Sequence, residues 1–440
     1  MNEGTPSGPA APGPDTASKP LGDVIAINEG LIKDHLNKVV VKTVEETLNA
    51  MLDAEADQLC GAKRYEHTPE RVDTRAGHAI YSLHMASDKA ERPPLAGLTS
   101  LRFFAACYVL LFHTRGGRWF HAGYTGVTLF FVLSGFILAY NYPVIPAGKR
   151  ARFYIARFAR IYPLYLFSWI IKLHYLLGVA KTWYIITGSF LYLFLLQTWV
   201  PAFRQVFSSG SWTMPVETFF YLVFPFGVAW VARRENHWRA LVTVLWVVPV
   251  GLAIIGDLVI IPHFPASTPW VRGILSVPLL YLGQFLLGVT LGLRYLKTLP
   301  VFRGTTVLAA TALCIVCLAG VGKISWDNSE IVWLGLMALP MGLLIFTIAG
   351  WRSRILANPV LQLGGEISYS IYLLQWELVD VVQRLFHHDR RWIPVRFALF
   401  LVAAFITYSL IEKPGRRLIL HIFGVKSHPK PIETPETALP

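Results

Sequence analysis

Apolar residues occur in long runs over most of this chain, with short polar segments between them. Eleven runs have the length and composition of apolar helices. They lie near residues 98–115, 122–141, 162–179, 184–200, 213–232, 240–260, 273–293, 305–322, 331–350, 367–385 and 393–411. About 20 apolar residues cross the hydrocarbon core of a bilayer as an α-helix. The pattern therefore predicts an all-α polytopic membrane protein.

Basic residues between the runs predict which loops face the cytoplasm, because short cytoplasmic loops are enriched in Lys and Arg. Five basic groups follow one another, at residues 149–160, 233–239, 294–303, 352–354 and 413–417. All five face the same side only if one run between Arg160 and Arg233 does not cross. The run at 184–200 ends at Trp199-Val200-Pro201, so we predict an interfacial or re-entrant segment there. About ten transmembrane helices remain, with both termini cytoplasmic.

The first 92 residues contain no long apolar run, and their composition predicts a short soluble extension. Residues 1–30 are rich in Gly, Pro and Ala and should be disordered. Apolar residues at helical spacing follow, with Thr43 and Glu46 in a capping-box pattern. The segment from Arg64 to Gly77, RYEHTPERVDTRAG, resembles the N-terminal region of Mutator-type insertion-sequence transposases. The nuclease domain of that family has no counterpart after Leu98, so we interpret residues 31–92 as a remnant without nucleic-acid binding.

Composition supports the membrane interpretation. The chain is 54% hydrophobic and only 15% charged, whereas soluble domains carry about 25% charged residues. The formal net charge of +13 would suggest a nucleic-acid partner in a soluble protein. Here the cations lie between apolar runs, and membrane topology explains them. Cys314 and Cys317 form a C-x-x-C without further ligands nearby, so no metal site is predicted.

Two polar residues in the first run are candidates for chemistry. Arg102 and His113 are eleven residues apart, which places them on one helix face about 16 Å apart along the axis. Ionisable residues inside the bilayer are costly and usually functional. The predicted topology puts Arg102 near the cytoplasmic end and His113 near the outer end. Packing is the alternative role for a membrane histidine.

Three later segments add candidate residues. Glu217 lies in an apolar helix, where a carboxylate suits acid/base chemistry or the orientation of a histidine. Trp212 offers an aromatic surface for a sugar ring, with interfacial anchoring as the alternative. Arg157 and Arg160 form a pair able to grip phosphate, although topology explains them equally well. Ser134 lies among glycines, on a small-residue face typical of close helix packing.

Several motifs together resemble acyltransferase family 3, the integral-membrane acyltransferases of surface polysaccharides. They cover residues 95–418 in the order expected for the family: Arg102-x10-His113, GVTLFFVLSGF from Gly126, Arg157-x-x-Arg160-Ile-Tyr-Pro, Ser211-Trp212 with Glu217, ISYSIYLL from Ile367, and Glu412-Lys-Pro. The resemblance implies a ten-helix fold in the bacterial inner membrane and O-acyl transfer to sugars. It implies an acyl donor such as acetyl-CoA as co-substrate, with no tightly bound cofactor. Residues 419–440 are predicted to be a disordered cytoplasmic tail.

The resemblance also assigns roles. It implies acid/base chemistry by His113 and an essential Arg102, and we add Glu217 as a possible orienter of the histidine. We expect Arg157, Arg160 and Ser134 to bind the donor, and Ser211 and Trp212 to bind a carbohydrate acceptor. The predicted partners are thus acceptor, acyl donor and lipid bilayer. The chain departs from the family at Gln375, where a histidine is common. The alternatives are a flippase for a lipid-linked saccharide and an inactive fusion product.

Overall fold

A computed structural model describes most of the chain after residue 93. The described ranges are 94–114, 120–177, 180–207, 210–256, 277–321, 335–385 and 390–425. They contain helices and connecting turns, and no β-strand. The predictions for residues 1–30 and 31–92 lie outside these ranges.

Thirteen α-helices lie within the described ranges. They are α1 Ala96–His113, α2 Gly126–Asn141, α3 Arg150–Leu176, α4 Thr182–Leu193, α5 Thr213–Ala232, α6 Trp238–Ile255, α7 Leu282–Thr298, α8 Gly304–Val321, α9 Ala338–Ala349, α10 Pro359–Glu366, α11 Ser368–Leu385, α12 Ile393–Thr407 and α13 Lys413–Ile422. The final helix includes residues 419–422, so the predicted disordered tail does not begin at residue 419.

Seven helical segments in the described ranges are long and apolar enough to cross a membrane. They are Ala96–His113, Gly123–Asn141, Thr213–Ala232, Glu235–Ile255, Pro278–Thr298, Gly304–Val321 and Ile393–Ile422. Many of their large apolar side chains, such as Leu222, Val316 and Val402, are exposed on the protein surface. Such a surface suits lipid rather than water. The prediction of an all-helical polytopic membrane protein is therefore confirmed.

The basic segment before Tyr162 is helical, and the prediction of a loop there was wrong. Helix α3 begins at Arg150 and has 27 residues, with Pro163 inside it. Phe153, Ala159 and Leu164 are buried on its inner side. An apolar face at helical spacing thus continues through the basic stretch and holds Arg157 and Arg160 on a helix.

Helix α4 is too short to cross the bilayer. Its 12 residues span about 18 Å, against a hydrocarbon thickness of about 30 Å. After it, Leu195 has a positive φ of 59°. Two 3-10 turns follow, Gln197–Trp199 and Pro201–Phe203. This geometry agrees with the predicted break in the run at 184–200.

Helices α2 and α7 touch through their backbones. A Cβ at Gly135 would overlap the carbonyl oxygen of Phe285, and one at Gly288 would overlap the carbonyl oxygen of Val132. A Cβ at Gly292 would also lie too close to the carbonyl oxygen of Phe136. Small residues permit this approach of two membrane helices. Helix α2 is thereby fixed in the centre of the bundle, where one of its faces lines the site described below.

We expect Gly288→Ala to destabilise the protein by about 1–3 kcal/mol, because the added methyl group meets backbone that has no rotamer to change. Thermal unfolding of the purified protein in detergent measures this effect. Gly251→Ala in α6 is the matched control, since a Cβ there has no neighbour within 4 Å. Equal stability of the two variants would contradict the close α2–α7 contact.

Candidate functional site

A cavity of about 130 Å³ lies between helices α1, α2, α3, α5 and α11. Its walls are mostly apolar, but ten polar or charged side chains also line it, and six of them carry the argument below. These six are Arg102 from α1, Ser134 from α2, Arg157 and Arg160 from α3, and Glu217 and Tyr221 from α5. The structure therefore brings together five residues that the sequence predicted to act in catalysis or donor binding.

Arg160 is held by an ion pair with a carboxylate from the far end of the chain. Its Nη1 lies 2.5 Å from Oε1 of Glu412, and the Ser370 hydroxyl donates to Oε2 of Glu412 at 2.8 Å. Glu412 is 1% exposed and ends a π-helical turn, Tyr408–Glu412. A buried carboxylate needs such partners. Glu412 thus fixes the position of Arg160 at the cavity wall.

Arg157 lies among aromatic rings. Its guanidinium carbon is 5.5 Å from the ring centre of Tyr142, 5.8 Å from that of Phe153 and 5.9 Å from that of Tyr221. Its Nη2 also donates to the Tyr142 hydroxyl at 3.4 Å. Cation–π contacts hold a guanidinium in place while leaving N–H groups for a ligand. Arg157 therefore combines a fixed position with donors for an anion.

Glu217 faces the cavity and does not contact the candidate histidine. Its Oε1 accepts a hydrogen bond from the Tyr221 hydroxyl at 2.5 Å, one turn further along α5. This placement does not support the prediction that Glu217 orients His113. Three guanidiniums, from Arg102, Arg157 and Arg160, meet two carboxylates, from Glu217 and Glu412, so one positive charge is left over. A ligand with an anionic group suits that balance.

His113 ends helix α1, and its surroundings determine its tautomer. Its Nδ1 lies 3.0 Å from the carbonyl oxygen of Val109 and 3.2 Å from Oε1 of Gln375. Both neighbours are acceptors, so Nδ1 carries the proton in the neutral ring. The lone pair is then on Nε2, which is the arrangement of a general base. The Trp376 ring packs edge-on at 4.4 Å between centroids.

The cavity and His113 are close but separate. Tyr369 and Tyr372 of α11 line the cavity, whereas Gln375, one turn further on, contacts His113. The rings of Phe130 and Tyr372, which both line the cavity, are 6.0 Å apart between centroids. His113 itself does not line the cavity, but its ring packs against protein groups. Along α11, one helical turn thus separates Tyr372, which lines the cavity, from Gln375, which contacts His113.

Ser211 and Trp212 are buried away from the cavity. Trp212 is 8% exposed, and its ring packs against Tyr281 at 5.3 Å and Phe131 at 6.3 Å between centroids. Ser211 is 1% exposed. The structure does not support the prediction that Trp212 stacks on a sugar, because the core of α2, α5 and the turn before α7 covers its ring.

Three residues at the site had no role in the sequence interpretation. Tyr221 is hydrogen-bonded to Glu217, Glu412 is paired with Arg160, and Gln375 contacts His113. Glu412 and Gln375 stood out in the sequence, one within a Glu-Lys-Pro motif and the other as a departure from a familiar pattern. Their partners are 252 and 262 residues away along the chain. Contacts over such a large sequence separation cannot be predicted from local patterns, so their roles were missed.

The chain is similar to a known protein family and to several named proteins. A family profile described as an acyltransferase domain matches residues 95–412. Acyltransferase MdmB of Streptomyces mycarofaciens is 27% identical over 386 residues, covering 77% of this chain and 95% of that protein. A Staphylococcus aureus (strain COL) protein named as an O-acetyltransferase is 24% identical over 73% of this chain and 57% of its own length.

A third relative is named as a membrane-bound transacylase, BcsY of Komagataeibacter xylinus. It is 24% identical over 72% of this chain and 82% of its own length. No solved structure matches the chain at a significant level. The matched region contains every cavity residue described above, together with His113, Gln375 and Glu412.

Proposed function

Because this chain belongs to the acyltransferase family that matches residues 95–412 and is a membrane acyltransferase, we propose that it transfers an acetyl group from acetyl-CoA to a carbohydrate hydroxyl. The observation that carries the proposal is the placement of His113 Nδ1 beside two acceptor oxygens, of Val109 and Gln375, from which we infer that Nε2 can accept a proton. The names of related proteins, which include an O-acetyltransferase, support acetyl as the transferred group.

In this reaction His113 acts as the general base. Nε2 takes the proton of an acceptor hydroxyl while its oxygen attacks the thioester carbonyl carbon, forming a C–O bond. The tetrahedral intermediate then collapses, the C–S bond breaks, and the thiolate of coenzyme A takes the proton from Nε2. General-base catalysis of this kind contributes about 10²–10⁴ in rate. The ester product is an O-acetylated carbohydrate.

The arginine-lined cavity is the proposed site for the donor. Phosphate groups accept hydrogen bonds from paired guanidiniums, and Arg157 and Arg160 lie one helical turn apart on α3. Arg102 would interact with the donor deeper in the bundle, and Ser134 provides a hydroxyl on the facing helix. The acyl end of the donor would pass the Phe130–Tyr372 pair to reach His113. No tightly bound cofactor is needed.

We also propose ten membrane crossings with both termini on the cytoplasmic side of a bacterial inner membrane. Three described helices would join the seven apolar segments. Helix α3 and helix α11 have crossing length but carry several charged residues. Helix α9 has only 12 residues, like α4, but it lies within the 20-residue apolar run at 331–350, which is long enough to cross. Charged residues in α3 and α11 meet one another inside the bundle, as Lys172 and Glu377 do at 3.0 Å. Such pairing favours burial of these helices among the others.

Radiolabelled acetyl-CoA, given to membranes that contain the protein and supplied with surface glycan, tests the proposal. We expect covalent label on carbohydrate, released by mild base as an ester should be. Membranes without the protein give the background. Labelled succinyl-CoA in parallel distinguishes the acyl group. Label that stays in acetyl-CoA or appears as free acetate alone would contradict transfer to a sugar.

A further inference from the structure

The side chain of Gln375 has a buried N–H group that no other atom uses. The residue is 0% exposed, and its Nε2 has no hydrogen-bond partner, whereas its Oε1 accepts from His113. A buried donor without a partner costs about 1–3 kcal/mol. Leucine would fill a similar volume without that cost. The amide is therefore better explained by a ligand than by packing.

The unused N–H lies beside the group proposed to move the proton. One planar amide carries both Oε1, 3.2 Å from Nδ1 of His113, and the unpartnered Nε2. Trp376 follows Gln375, and its Nε1 is also buried without a partner. However, a Cβ at Gly210 would overlap Cδ1 and Nε1 of that indole. The Trp376 N–H edge therefore abuts the Gly210 backbone, and Gln375 is the better placed donor.

We propose that Gln375 is a second catalytic group with two tasks, an inference that rests on the proposed acyl transfer. Its Oε1 holds His113 with the proton on Nδ1, which leaves Nε2 of the histidine basic. Its own N–H donates a hydrogen bond to the carbonyl oxygen of the acyl donor. That oxygen becomes negative when the acceptor oxygen adds to the carbonyl carbon, and it returns to a carbonyl when the C–S bond breaks.

Donors aimed at a developing oxyanion are a major source of rate enhancement in acyl transfer, and the loss of one costs about 10²–10³ in kcat. Their effect is large where water is excluded. A group with 0% exposure meets that condition. Burial therefore strengthens both proposed hydrogen bonds of the amide, the one with Nδ1 of His113 and the one with the acyl carbonyl oxygen.

Three substitutions separate the two tasks from packing. Gln375→Glu keeps an acceptor for Nδ1 but has no N–H, and Gln375→Leu removes both. Gln375→His keeps one acceptor and one N–H, as a neutral imidazole does. We expect kcat to fall about 10²–10³-fold in Gln375→Glu, with an unchanged KM for acetyl-CoA, and at least as far in Gln375→Leu. Gln375→His should retain most of the activity.

The rates are compared over a pH series, because a carboxylate at position 375 alters the protonation of His113. Thermal unfolding in detergent checks that each variant is folded. Wild-type kcat in Gln375→Glu, at its best pH, would overturn the role of the N–H. Near-wild-type kcat in Gln375→Leu would show that Gln375 only packs.

Two outcomes distinguish failure of this inference from failure of the proposed function. If the wild-type protein transfers no label to carbohydrate, the proposed function itself fails. If the wild type transfers label, His113→Ala does not, and Gln375→Glu equals the wild type, then the inference about Gln375 alone fails.

Discussion

Replacement of His113 by alanine is expected to abolish acyl transfer while the protein remains inserted in the membrane. Without Nε2 the proposed base for the acceptor proton is missing, and the rate should fall about 10²–10⁴-fold. The ring packs on Trp376 and Gln375 and is only partly buried, so folding should survive its loss. Labelled transfer per unit of membrane-inserted protein measures the effect.

His113→Asn separates the loss of the base from the loss of the hydrogen bond to Gln375. An asparagine amide retains an N–H near the position of Nδ1 and can still donate to Gln375, but it has no base in place of Nε2. It should be as inactive as the alanine variant and closer to wild type in stability. His121→Ala is the matched control, because His121 is an exposed histidine in the connection that follows α1. Transfer at the wild-type rate by His113→Ala would remove this histidine from the reaction.

Glu412→Ala is expected to lower the free energy of unfolding strongly and to inactivate the enzyme as well. The substitution leaves the Arg160 guanidinium in the interior without its counter-charge. Removal of one partner of a buried pair costs about 3–5 kcal/mol. The Arg160 side chain is 20% exposed, so partial solvation should keep the cost near the lower value. Thermal unfolding of purified protein in detergent measures the change.

The more exposed pair of Lys297 and Glu235 provides the control. Its atoms are 3.0 Å apart, and its side chains are 38% and 22% exposed. Glu235→Ala should therefore cost at most about 1 kcal/mol. The double variant Arg160→Met, Glu412→Leu should recover much of the stability lost in Glu412→Ala, yet remain inactive. If Glu412→Ala is as stable as Glu235→Ala, the buried pair does not support the fold.

The features predicted well from sequence are those set by local pattern. Apolar runs predict helices because crossing length and composition are local properties, and the break after α4 follows from the Trp-Val-Pro sequence that ends its run. The motifs pointed to Arg102, Ser134, Arg157, Arg160 and Glu217, which line one cavity.

The features that were missed depend on partners far along the chain. Arg160 was predicted to bind a donor phosphate or to mark a cytoplasmic loop, but its ion pair was not predicted, because its counter-charge is 252 residues away and no local pattern indicates their contact. Trp212 was predicted to stack on a sugar, yet Phe131 of α2 and Tyr281 of the turn before α7 cover its ring. Glu217 was proposed to orient His113 because a carboxylate in an apolar helix suits that role. In the structure Gln375 makes that contact with His113 instead.

The backbone contact between α2 and α7 limits how the protein can admit a large substrate. If this cavity of about 130 Å³ binds coenzyme A as proposed, it has to widen, because that volume takes only a few water molecules. Two helices in contact through glycines have no side chains to rearrange between them and should move as one body. Helix α1 is held to α2 in the same way, because a Cβ at Gly126 would crowd Val109 and the carbonyl oxygen of Ala105. We therefore expect α1, α2 and α7 to stay together while α3, α5 and α11, which carry Arg160, Glu217 and Gln375, move to admit the substrate.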